Sequence, residues 1–165
     1  MDQTSRHTFH APIEVVWAMF TNPDAHLAKF ESMGHREIEL ISSDLTDGTF
    51  TIEITRLVDV DLPGFARKVL KPTNTVTSRD EWRTNDDGTY GGNWDLETVG
   101  APVKIHGTTS LQPKGADETE YVIDVKLKVG VPIIGGRIEN WSKGTMEQQI
   151  QQEFDAGDAW LAAHP

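Results

Sequence analysis

Arg56 and Asp80 are the ionisable residues whose positions point most directly to chemistry. Each stands where apolar and polar residues alternate, a spacing that in a β-strand sends successive side chains to opposite faces. Arg56 shares parity with Phe50, Ile52 and Ile54, and Asp80 shares parity with Val76 and Trp82. Both charges are therefore expected on the side that the apolar residues bury, and Thr109 joins them by parity with Val103, Ile105 and Leu111. An unpartnered buried charge costs several kcal/mol, so Arg56 and Asp80 should pair with each other or meet a polar group of a ligand. The plainer outcome is an Arg–Asp pair within a core or at a cavity rim. The functional one is an anchor for a carboxylate or carbonyl at the floor of a pocket.

Aromatic residues gather on the same side. Trp17, Trp82, Trp94 and Trp141 all fall on inward faces by strand parity or helical spacing, and Phe20, Phe30 and Met146 extend the set. A large aromatic buries roughly 150–250 Å² wherever it is enclosed, so each of these residues either lines a cavity or fills a core. Methionine, unbranched and adaptable, suits exchangeable contents. The candidate ligand-binding set is thus Trp17, Phe20, Phe30, Arg56, Asp80, Trp82, Trp94, Trp141 and Met146, with no catalytic residue assigned.

Several chemistries lack their residues. Cysteine is absent, which removes disulfides, thiolate metal sites and cysteine nucleophiles. Of the six histidines, His7 and His10 would point to opposite faces of one strand, and the others stand in separate segments, so no metal site is expected. His10 and His106 remain conceivable acid–base groups because free imidazole titrates near pH 6.5. There is no Gly-x-Ser-x-Gly elbow, no phosphate-cradling loop and no cofactor motif. A formal charge of −11 disfavours nucleic acid and anionic lipid surfaces. The first residues do not resemble a signal peptide and no apolar run is long enough to span a membrane, so the expectation is a soluble cytoplasmic protein. Asn140-Trp141-Ser142 matches a glycosylation acceptor, but it falls inside a helix and is discounted on that ground.

The elements that would position these residues follow from periodicity. Near the C-terminus Ile138, Trp141, Met146, Ile150, Phe154 and Leu161 recur at helical spacing, with Gly157 on the same side, predicting one long helix from about Val131 to Leu161. Gly135-Gly136 reads as its flexible entry, and Gly157 as a point of close packing or a hinge. A short strand at Ser5–His10 precedes a helix that Pro12 opens, and Asn22-Pro23-Asp24 stops it and caps a second short helix through Phe30. From His35 the period becomes two. Ile38 and Leu40, then Phe50 to Val58, form a hairpin; further strands run through Thr75–Arg83, Tyr90–Leu96, Val103–Leu111 and Tyr121–Val129. No linker or repeat divides the chain, so residues 1–165 are one α+β domain of about seven antiparallel strands.

This order resembles the helix-grip superfamily of START, Bet v 1 and polyketide-cyclase-like (SRPBCC) proteins, over nearly the whole chain. More narrowly, the chain is similar to the DUF2505 family. The matching residues are Pro12 with Val16-Trp17, Leu62-Pro63, Glu81-Trp82, Gly100-Ala101-Pro102-Val103, Gly107 with Leu111-Gln112-Pro113, and above all the run from Val131 to Glu139. The resemblance implies a sheet curved around the long helix with a cavity between them, and it transfers no catalytic residue. The first functional expectation is a protein that holds a hydrophobic or amphipathic small molecule, such as a lipid or polyketide, in that cavity. The second is a cyclase or dehydratase acting there. The third is a protein-interaction module with a filled core and an exposed apolar patch. Neither the ligand nor the oligomeric state follows from the sequence.

Overall fold

The computed structural model describes residues 1–165. Strand β1 (Asp2–Phe9) leads into helices α1 (Ile13–Phe20) and α2 (Pro23–Ser32). Strands β2 (Arg36–Thr46), β3 (Thr49–Asp59), β4 (Thr73–Thr84), β5 (Tyr90–Thr98), β6 (Val103–Pro113) and β7 (Thr119–Val129) then run as a meander, and helix α3 (Gly135–Ala163) closes the chain. The sheet is antiparallel throughout, in the order β1-β7-β6-β5-β4-β3-β2. The α1–α2 pair carries the chain from β1 to the far edge, so the meander returns until β7 pairs with β1. The fold is the START/Bet v 1-like helix grip, in which α3, 29 residues long and about 43 Å at 1.5 Å per residue, lies across the inner face of a curved sheet.

Local chemistry explains the element boundaries. Pro12 is the N-cap of α1 rather than its first helical residue, and no side chain caps that end. Asn22 caps α2 as expected, its Oδ1 accepting from the Asp24 amide at 3.0 Å. The long helix begins at Gly135, four residues after the predicted Val131. Gly135 is a close contact rather than a flexible entry, because a Cβ there would lie 2.7 Å from the Val129 carbonyl oxygen. In β5 and β6, a Cβ on Gly92 or Gly107 would drive into the backbone of the neighbouring strand at Glu81 or Asp124. Glycine at both places lets the strands kink and the sheet curl.

The interior has two apolar clusters. The larger joins Phe9, Val16, Phe50, Ile54, Trp82, Leu111, Tyr121 and Phe154; the smaller joins Leu62, Ala66, Leu127, Val129 and Ile138. Gly157 sits in the first, where a Cβ would meet Phe9 Cε1 at 2.7 Å, so close packing and not a hinge accounts for it. Strand β2 departs from the predicted alternation. Its register slips between Arg36 and Glu39 and again between Leu40 and Ser42, and Leu40, expected to face inward, is 38% exposed. Bulges on an edge strand twist it away from further pairing. No helix is long and apolar enough to cross a membrane.

Candidate functional site

Arg56 is buried on β3, and its charge is satisfied without Asp80. Its Nε donates to His35 Nδ1 at 3.0 Å, one Nη donates to Ser78 Oγ at 2.9 Å, and the guanidinium lies 3.6 Å from the centre of the Phe30 ring. The direct Arg56–Asp80 bond allowed by parity does not form, for a reason of register. Asp80 is opposite Ile52, whereas Val76 is opposite Arg56, so the guanidinium meets Ser78 diagonally before it reaches the carboxylate. Burial pulls the Arg56 pKa down to about 10. Burial first and then the Arg56 charge lower His35 to about 4, keeping it a neutral imidazole whose Nδ1 accepts.

Asp80 stands in a different environment. Its side chain is partly exposed by surface area, yet enough protein surrounds it that burial raises its pKa to about 6. After burial the influences on it are charges: Lys29 and Arg56 favour the carboxylate, Glu153 and Asp95 oppose it, and no hydrogen bond contributes. Lys29 on α2 pairs with Glu153 on α3 at 3.8 Å and lies 4.5 Å from the centre of the Phe30 ring. Burial, Glu153 and Asp80 together push the Tyr121 hydroxyl well above its usual range. Behind this group, His26 Nε2 meets the Phe20 carbonyl at 2.7 Å, and burial lowers its pKa to about 3.

The structure thus brings together titratable groups from α2, β3, β4, β7 and α3, more than strand parity alone predicts. Glu153 was legible in principle. It falls on the same α3 face as Ile150, Phe154 and Gly157, the i, i+3, i+4, i+7 stripe of an inward helix side. Lys29 gave no such signal, since its place follows from how α2 leans on α3.

The remaining candidates divide between core and cleft. Trp17 stacks on Tyr90 at 4.0 Å, Phe20 tilts against Trp82 at 5.1 Å, and Trp82 is 1% exposed, so these three are packed together. Phe30 is buried beneath the Arg56 guanidinium. Trp141 and Met146 on α3 instead line an apolar cleft of about 120 Å³, floored by Ile105, Leu127 and Val129 and flanked by Leu62. Trp141 and Thr145 also border a polar opening of about 390 Å³, whose other walls include His35, Asp59 and Gln149. Trp94 is partly buried on β5, and its indole N–H has no partner. The largest concavity, about 1070 Å³, is on the outer face of the sheet and is lined mainly by polar groups such as Arg79, Glu53 and Asp95. Those residues pair with one another in water, Arg79 with Glu53 at 3.0 Å, which is ordinary surface behaviour.

Comparison with known proteins agrees with this architecture. A family model described as a protein of unknown function (DUF2505) matches residues 4–161. No curated protein matches the chain. Among solved structures, a protein of Thermus thermophilus is similar with a TM-score of 0.65 at 13% identity, covering 99% of this chain and 98% of that one. The Zhui aromatase/cyclase of a Streptomyces species aligns with a TM-score of 0.64 at 13% identity, covering 98% of this chain and 93% of the other. A START superfamily protein of Mycobacterium smegmatis aligns with a TM-score of 0.57 at 10% identity, covering 99% of both chains. At such identities the likeness is one of fold.

Proposed function

The chain belongs to the DUF2505 family, and from that premise we propose that it binds a hydrophobic or amphipathic small molecule between α3 and the sheet. The observation that carries this reading is the apolar cleft beneath Trp141. Its volume, about 120 Å³, approaches that of a dry apolar cavity of about 150 Å³ that takes up benzene. It shares Trp141, Thr145 and Gln149 with the polar opening, so a ligand would reach the cleft from water past Trp141. Lack of cysteine is compatible with a reducing cytoplasm, where we place the protein.

A fluorescence titration with the neutral lipophile N-phenyl-1-naphthylamine tests the reading. Binding should saturate, and Thr145→Trp, which fills the shared wall of cleft and opening from a half-buried position, should weaken it at least about tenfold. Equal affinity in a folded Thr145→Trp variant would remove the cleft as the site.

A second reading is favoured by one specific observation. Asp80, with its pKa near 6 and no hydrogen bond, stands among Lys29, Glu153 and Tyr121 as a proton-transfer group of a cyclase or dehydratase would. Mass spectrometry of the compound that copurifies with the wild type and with Asp80→Asn separates the two. One and the same compound in both supports binding alone, whereas a less processed precursor in the variant supports chemistry.

A further inference from the structure

Two buried polar atoms lack a hydrogen-bond partner, the indole Nε1–H of Trp94 and the amide oxygen Oε1 of Gln3. Strand register places both residues in one row across the inner face of the sheet. Gln3 is opposite Val125, Val125 opposite Gly107, Gly107 opposite Trp94, and Trp94 opposite Asp80. Gly107 stands between the two orphans. A Cβ there would lie 2.9 Å from Trp94 Cζ2, so the indole leans over the glycine towards Val125 and Gln3. Cζ2 and Nε1 are both bonded to Cε2, which puts the N–H on that same edge of the ring.

One orphan is a donor only and the other is an acceptor only. A single O–H group placed between them would serve both, accepting from Trp94 and donating to Gln3. The row adjoins the apolar cleft, because Ile105 and Leu127 on its floor are the next inward residues along β6 and β7 from Gly107 and Val125. Met146 and Ile105 each pack against both apolar clusters and so link the row to the cleft. Both orphan groups are uncharged, and Asp80 next in the row repels a carboxylate.

We infer that Trp94 and Gln3 form a subsite for the hydroxyl of an uncharged, ring-sized alcohol or phenol whose apolar body lies in the cleft. The inference rests on the cleft reading and narrows it, by excluding carboxylate ligands such as free fatty acids.

The probes are 4-ethylphenol, its methyl isostere 4-ethyltoluene, and the 4-ethylbenzoate ion. Their binding is followed in a ¹⁵N–¹H correlation spectrum, where the indole signal missing from Trp94→Phe identifies the Trp94 proton. The phenol should bind about tenfold more tightly than the toluene, the size of one well-placed hydrogen bond, and should shift the Trp94 proton; the benzoate should bind most weakly. Trp94→Phe and Gln3→Met should each erase the preference for phenol over toluene, and Gln3→Met alone decides if Trp94→Phe fails to fold. Equal binding of phenol and toluene with an unmoved Trp94 proton would assign the orphan pair to a resident water and overturn the subsite, leaving the cleft reading intact. Tightest binding by the benzoate would also overturn it. Failure of all three probes to bind would remove cleft and subsite together.

Discussion

Replacing Asp80 by asparagine should stabilise the protein, and only above a defined pH. Burial raises the Asp80 pKa from 3.8 to about 6. Below pH 4 the carboxyl is protonated in both the folded and the unfolded chain, so it contributes no pH-dependent penalty. Between about pH 4 and 6 the unfolded chain releases this proton while the folded chain holds it, and stability falls as pH rises. Above pH 6 the full penalty is present. At 1.36 kcal/mol per pKa unit, the span from 3.8 to about 6 corresponds to about 3 kcal/mol; access of solvent to the side chain reduces this to about 1–2 kcal/mol. Asparagine keeps the shape and cannot ionise. Thermal melts of both proteins from pH 3.5 to 8 should therefore coincide near pH 4 and diverge to about 2–8 °C in favour of Asp80→Asn at pH 7.5. His26 and His35, whose lowered pKa values destabilise the fold as pH drops below 6.5, are present in both proteins and cancel in the difference. A variant less stable than the wild type at pH 7.5, or a difference that does not grow between pH 4 and 7, would refute the account of Asp80 as a carboxylate held at a cost.

Two glycines of α3 give a matched pair. Gly144→Ala meets nothing within 4 Å and should gain about 1 kcal/mol of helix propensity, seen as a Tm increase of about 2–4 °C. Gly157→Ala gains the same propensity but presses on Phe9 at 2.7 Å, an overpacking cost of about 1–3 kcal/mol, so its Tm should fall clearly below that of Gly144→Ala; equal Tm values would show that Phe9 yields. Trp82→Ala should lose about 3–5 kcal/mol in denaturant melts because the side chain is 1% exposed among Trp17, Phe20 and Tyr121. Its folded fraction should keep wild-type affinity for N-phenyl-1-naphthylamine, and a loss of affinity would place Trp82 in the binding site after all.

The elements were largely legible because each rests on a period that local residues maintain. The alternation of β3, β4 and β7 survives intact in the structure, and the α3 stripe correctly named Ile138, Ile150 and Phe154 as its buried face. Strand β2 was misread where bulges reset the parity, since nothing in Glu37-Ile38-Glu39-Leu40 marks an inserted residue. The site was less legible because its contacts are diagonal or between helices. Parity put Arg56 and Asp80 on one face, but the choice of Ser78 and His35 as partners depends on strand stagger and on where α2 delivers His35. Likewise Trp17 and Trp141 carry the same inward signal, and only side-chain packing decides that one fills the core while the other borders a cleft.

The long helix is held unevenly, and this asymmetry sets where the interior opens most easily. Its C-terminal half is locked against the sheet and the small helices: Phe154 packs on Tyr121 and His7, Gly157 rests on Phe9, and Glu153 pairs with Lys29. Its N-terminal half keeps Ile138 buried, but Trp141, Thr145 and Met146 remain partly exposed over the cleft. The loop between β3 and β4 covers that end through Leu62 and Ala66 and is tied to the helix by the Arg137 guanidinium, 4.0 Å from the centre of the Phe65 ring. Opening there breaks one small cluster, whereas opening at the other end would break the main core. Local opening follows the smaller loss of buried apolar contact. A molecule would therefore pass beneath Trp141 first and meet the polar row of Gln3, Trp94 and Asp80 last.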